Sequence, residues 1–210
     1  TAEFDITGLW NGSSWTEVND LNTARRALGG VGDSTAALAF AGNTPSATAA
    51  TELWNGTNWT EVNDLNTARN SIAGAGVSTS ALGFGGQGSP LPSPPSQIGR
   101  VESWNGTSWT ETTDLNIIAA KAAGSGQSNT SVLKFGGYGA QPQNTILNNV
   151  ESWNGSSWTN ENTMNTARAY LAGDGTKTAA LAFGGGDSPF FTATEEWYGD
   201  GLLTLNVTTS

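Results

Sequence analysis

A tryptophan hairpin that recurs five times constrains this chain more than any other feature. Four copies read almost alike: Trp10-Asn11-Gly12-Ser13-Ser14-Trp15, then Trp54 to Trp59, Trp104 to Trp109 and Trp153 to Trp158. The fifth, Trp197-Tyr198-Gly199-Asp200-Gly201-Leu202, is degenerate. Successive first tryptophans lie 44, 50, 49 and 44 residues apart. Repeats of about 40–50 residues are the period of four-stranded propeller blades. From each first Trp to the Phe of the following strand (Phe40, Phe84, Phe135, Phe183) the distance is 30, 30, 31 and 30 residues. From that Phe to the next Trp it varies, at 14, 20, 18 and 14. Length variation confined to one segment per repeat describes a fixed frame with loops exposed on one side.

The unit from Asn66 to Glu111 shows the strands. Asn70 to Gly76 is small and glycine-rich, which suits an innermost strand crowded around an axis. Thr79 to Phe84 alternates and ends in Gly85-Gly86, where the chain leaves the strand with positive φ. Val101 to Trp104 reads as the third strand and Trp109-Thr110-Glu111 as the fourth. Asn105-Gly106 between them predicts a type I′ turn, with both residues at positive φ. A helix over Leu21–Leu28 or Leu65–Ile72 is disfavoured by the short run and the glycines that follow.

The predicted fold is all-β: a single β-propeller domain over residues 1–210, with units at about 19–62, 63–112, 113–161 and 162–208. The first two strands occur in four copies, starting near Asn22, Asn66, Asn116 and Asn165, against five hairpins. Five blades are favoured over four. In that count the N-terminal hairpin (1–18) and the C-terminal strand Leu203–Val207 complete one closing blade, which removes open sheet edges. With four blades, one hairpin is free to dock on another chain.

Composition excludes several classes of chemistry. The chain has no His and no Cys, which removes disulfides, Cys/His zinc sites, cysteine nucleophiles and histidine bases. Eight basic residues against 18 acidic give a net charge of −10, and no Lys/Arg run offers a nucleic-acid surface. No apolar run approaches the ~20 residues of a membrane span. Nine Trp and 36% hydrophobic residues suffice for a core.

These residues resemble the Kelch repeat, whose pattern is an Arg on the first strand, a di-glycine after the second, Val-Glu-x-aromatic on the third and a Trp some six residues later. The matches are Arg69, Gly85-Gly86, Val101-Glu102-Ser103-Trp104 and Trp109, with Arg25, Glu52-Leu53-Trp54, Gly136-Gly137, Val150-Glu151-Ser152-Trp153, Arg168, Gly184-Gly185 and Glu195-Glu196-Trp197 in the other units. Three positions depart: Ala119 replaces the Arg, Ala41-Gly42 the first di-glycine, and Leu202 the last Trp. The repeated Trp-Asn-Gly-Ser/Thr-x-Trp is also similar to Kelch-like repeats of environmental phage virion proteins. The resemblance implies loops clustered on one face that contact partners. It further implies a tail-fibre-like protein on a virion or cell exterior, binding host-surface glycan or other virion proteins. Kelch-like propellers include copper oxidases, but copper needs imidazole or thiolate ligands, and this chain has neither.

The expected protein is therefore a non-enzymatic recognition or structural module without cofactor or metal. A subunit that assembles edge to edge through the unmatched hairpin, as a homo-oligomer, and a Kelch-type adaptor are the alternatives. The binding candidates sit in the variable loops: Gln87, Leu91 and Arg100; Tyr138 and Gln141; Asp187, Phe190 and Phe191. The once-per-repeat acids read as structural. Arg25 with Glu52, Arg69 with Glu102, and Arg168 with Glu195 or Glu196 are expected as bidentate struts, while the third unit, with Ala119 opposite Glu151, is expected to lack one.

Overall fold

Short strands of alternating small and apolar residues form four main antiparallel sheets in a propeller-like arrangement, three of four strands and one, the third, of five with Ala119–Ala120 added, described by a computed structural model for residues 2–88, 97–140, 145–186, 191–199 and 206–207. The first blade comprises Gly29–Gly32, Ala37–Phe40, Thr51–Trp54 and Trp59–Glu61. The second comprises Ala73–Val77, Ser80–Phe84, Val101–Trp104 and Trp109–Thr112. The third comprises Ala123–Ser128, Ser131–Gly139, Thr145–Trp153 and Trp158–Asn160. The fourth comprises Ala172–Gly175, Ala179–Phe183, Thr194–Tyr198 and Asn206–Val207. No described residue is helical.

Each blade is covered by the next. Leu38 and Phe40 of the first blade share a core with Ile72, Ala81, Trp104 and Trp109 of the second. Leu82 and Phe84 pack with Val132, Trp153 and Trp158 of the third, and Leu133 and Phe135 with Leu171, Ala180 and Ala182 of the fourth. Burying one such Leu or Phe contributes about 1.5–3 kcal/mol. The inner-strand glycines make this approach feasible. A Cβ on Gly74 would stand 2.6 Å from the Phe40 ring, and one on Gly124 would stand 2.7 Å from Phe84 and 2.6 Å from the Gly74 carbonyl oxygen.

The di-glycines tie one blade to the next. The N–H of the second glycine donates to the carbonyl at the start of the following unit: Gly86 to Ala119 at 3.0 Å and Gly137 to Arg168 at 2.8 Å. Gly42 makes the same bond to Arg69 at 2.9 Å. Its partner Ala41 takes the left-handed conformation of the glycines it replaces, at φ 61°.

The N-terminal hairpin, Thr7–Trp10 with Trp15–Val18, forms a two-stranded sheet that corresponds to the two outer strands of a blade. It meets the first blade as the first blade meets the second. Trp59 Nε1 donates to Thr7 Oγ1 at 2.9 Å, and Trp109 Nε1 donates to Thr51 Oγ1 at 3.1 Å. Asn19 Nδ2 donates to the Thr57 carbonyl as Asn63 Nδ2 donates to that of Thr107.

Two expectations are corrected. Asn206–Val207 does not join the N-terminal hairpin in a fifth, closing blade. It pairs with Thr194-Glu195 and supplies the fourth strand of the fourth blade. Pairing with a strand about a dozen residues earlier closes a far smaller loop than reaching the other end of the chain. The hairpin loops are also not type I′ turns. Trp104 faces Trp109 across a four-residue loop in which Gly106 has φ 92° and Asn105 is not at positive φ. Asn105 acts through its side chain, Oδ1 accepting from the N–H groups of Thr107 and Ser108 at 2.9 Å each.

Gly124→Ala is expected to lower stability by about 1–3 kcal/mol through overpacking. Gly30→Ala should be nearly neutral, because the nearest atom to its Cβ is 3.8 Å away. Thermal unfolding of the two variants checks this.

Candidate functional site

Each blade is built on a buried glutamate that holds a cation with one oxygen and a linker with the other. Arg25 Nη1 lies 3.1 Å from Glu52, Arg69 Nη2 lies 3.3 Å from Glu102, and Arg168 Nη2 lies 2.7 Å from Glu195. These side chains are at most 3% exposed. The other oxygen, Oε2, accepts the backbone N–H of an Asn in the linker that enters the blade: Asn22, Asn66 and Asn165 at 2.7 Å, and Asn116 at 2.9 Å. The Asn side chains of the first three linkers donate onward to the carbonyls of Trp59, Trp109 and Trp158. The pairs are thus hubs joining a linker and three strands rather than bidentate struts.

The third blade has its cation after all. Lys134, from the second strand, places Nζ 3.6 Å from Glu151, and both side chains are fully buried. Lys134 occupies the register position of Ala39, Gly83 and Ala182. In the other blades the Arg guanidinium crosses to the carbonyl of this small residue, at 3.3–3.5 Å. Arg over Ala or Gly has been exchanged for Ala119 over Lys134, with charge kept and volume redistributed. Burial pushes Arg69 down to about 10 against the opposing pull of Glu102, and it also lowers Arg25, with Glu52 opposing. Burial pushes Lys134 down to about 8, with Glu151 opposing.

The candidate binding site lies where the four linkers reach the inner strands. Ala27, Ser71, Lys121 and Tyr170 hold equivalent positions, all left-handed at φ 53–56°. A backbone ladder joins them: Ser71 N–H to the Ala27 carbonyl, Lys121 to Ser71 and Tyr170 to Lys121, at 2.8–3.0 Å. These residues and the ones that follow, Leu28, Ile72, Ala122 and Leu171, line one cavity of ≈ 220 Å³ shared by all four blades. A left-handed non-glycine residue costs about 1–2 kcal/mol. Among the described residues glycine takes 16 other positive-φ positions, yet a different side chain is kept at each of these four.

Lys121 and Tyr170 are joined there by Tyr138. Lys121 Nζ donates to Tyr170 Oη at 2.6 Å and lies 4.6 Å and 5.0 Å from the ring centres of Tyr170 and Tyr138. The two rings meet edge to face at 5.7 Å. Six of the eight basic residues pair with carboxylates, but among the described residues Lys121 does not.

The other loop candidates scatter. Gln87 is half-buried and pairs with Asn70 at the same end of its blade. Arg100 is exposed and is held by Glu111. Phe191 is half-buried, its N–H bound to the Gly185 carbonyl. Leu91, Gln141, Asp187 and Phe190 lie outside the described residues. Among the described residues no group of three His, Cys, Asp or Glu is placed to hold a metal ion, and no helix is long and apolar enough to cross a membrane.

Ala119→Arg is expected to destabilise by placing a second cation beside Lys134, whereas the exchange Ala119→Arg with Lys134→Ala restores the arrangement of the other blades. Arg69→Ala, which strands Glu102 without a cation, should cost about 3–5 kcal/mol. Denaturant unfolding of the four-member cycle and of Arg69→Ala reads both.

A second expectation concerns pH. The unfolded chain holds the Lys134 proton up to its ordinary 10.5, and the folded chain releases it near 8. Between those values the unfolded state binds more protons, so stability contributed by this group rises with pH. Relative to Lys134→Met, the wild type should gain stability from pH 7 to 10.5, as measured by unfolding at each pH.

No protein-family model and no curated protein matches the chain.

Proposed function

We propose that this chain is a Kelch-type propeller serving as a non-enzymatic recognition module on a virion or cell exterior, with host-surface glycan as its ligand. The binding surface is the mouth formed by Ala27, Ser71, Lys121 and Tyr170. One observation carries the reading: an ammonium with no carboxylate partner among the described residues stands between two tyrosine rings, on a strained backbone position, in a chain of net charge −10. Strain retained at a cavity, where glycine would relieve it, is the mark of a side chain kept for contact. Aromatic faces with a cation and hydroxyls suit a sugar ring bearing an acidic substituent. The repeated Arg–Glu hubs and di-glycine links support the Kelch assignment.

On a glycan array the chain should retain acidic glycans in preference to their neutral counterparts. Lys121→Ala should weaken that binding about tenfold or more, the value of a charge-assisted hydrogen bond. Arg100→Ala, away from the mouth, should leave it unchanged. Absence of glycan binding, or equal binding by Lys121→Ala, overturns the reading.

A further inference from the structure

All four blades carry the same apolar pair on the second strand, and only the fourth leaves it bare. Leu38, Leu82 and Leu133 are at most 1% exposed, as are Phe40, Phe84 and Phe135, whereas Leu181 is 40% and Phe183 39% exposed. In the first two blades the cover for the Phe is a tryptophan of the following hairpin. Trp109 lies 5.0 Å from Phe40, and Trp158 lies 5.6 Å from Phe84. The opposite end of the chain holds an unused hairpin of the same kind. Trp15 occupies the position of Trp109 and Trp158, which are 5% and 6% exposed, yet it is 71% exposed.

We propose that the Leu181–Phe183 face of the fourth blade receives the Trp10–Trp15 hairpin of a second copy of this chain, joining copies head to tail. Two details favour this occupant. Where the third strand begins with Thr, its hydroxyl accepts the indole N–H of the next unit, as Thr7 does for Trp59 and Thr51 for Trp109. Where it begins with Val101, Trp158 turns instead to the Thr113 carbonyl. The fourth blade begins its third strand with Thr194, in register for the indole of an incoming Trp15.

The second detail is Asp174. It stands on the inner strand where the other blades have Val31, Ala75 and Ser125. A complete blade laid on this face would strip its carboxylate of water. The N-terminal hairpin brings only the two outer strands, so Asp174 keeps its hydration. The two surfaces differ, so the contact is heterologous and propagates into a ring or a filament. The proposal does not rest on any reading of the Lys121 mouth.

Sedimentation of the full chain from micromolar to millimolar concentration tests it. The mass should grow with concentration. Trp15→Ser and Phe183→Asp should each weaken association about 30-fold or more, as expected for an aromatic anchor. Both residues are exposed in the single chain, so the far-ultraviolet dichroism of the variants should match the wild type. Because each variant keeps one intact surface, mixing them should give a dimer that stops growing. A wild type that stays monomeric overturns the proposal, whether its Trp15 is exposed or buried by closure on its own fourth blade. A variant that assembles as the wild type does, or a mixture that fails to pair, overturns it equally.

Discussion

The architecture depends on one buried interaction, the glutamate at the centre of each blade. Its two oxygens do different work. One meets a cation from just before the first strand or from the second strand, and the other receives the Asn N–H of the linker arriving from the previous blade. Removing a carboxylate and a guanidinium from water is expensive, and several guanidinium nitrogens, among them Nε of Arg25, Arg69 and Arg168, find no hydrogen-bond partner. What the hub provides is a fixed path: only one route for the linker satisfies the second oxygen. The position of the linker then sets the start of the inner strand, and with it the left-handed residue at the mouth. The cavity is thus a consequence of charge buried some distance away.

Between hubs, the blades hold one another by a simple complementarity of size. A phenylalanine from one sheet lies over a glycine of the next and under its tryptophan. The scheme needs nothing beyond the neighbouring unit, so it extends along the stack without any blade sensing the total number. It also leaves the two ends of the stack unlike the middle.

Spacing alone made the repeat unit legible, because the Trp-to-Phe interval is held by the sheet while the loops absorb length changes. Arg25, Arg69 and Arg168 could be matched to Glu52, Glu102 and Glu195 for the same reason: each recurs at a fixed offset. Lys134 was hidden because the cation for Glu151 was sought on the first strand, at the position of Ala119. The signal was nonetheless present, since a lysine stands where the other units have Ala39, Gly83 and Ala182, in the one unit that has lost its Arg. Lys121 and Tyr170 were missed for a different reason. Attention to variable loops passes over the linkers, and no sequence pattern announces a left-handed lysine. The Asn-Gly turn misled because a two-residue loop was assumed where the Trp–Trp register requires four. The end of the chain misled because closure of the ring was weighed above the smaller entropy of a local hairpin.

The exchange of Arg for Lys134 in the third blade bears on how such arrays diversify. Repeats this alike are prone to recombine with one another. A crossover in the linker after the fourth strand moves a whole blade and carries its cation with it. A crossover between the first and second strands of the third unit and any other separates Ala119 from Lys134. One product then inherits two cations facing a single glutamate, and the other inherits none. The third blade is therefore genetically isolated from its siblings along that stretch while remaining interchangeable with them elsewhere, so divergence should accumulate there first.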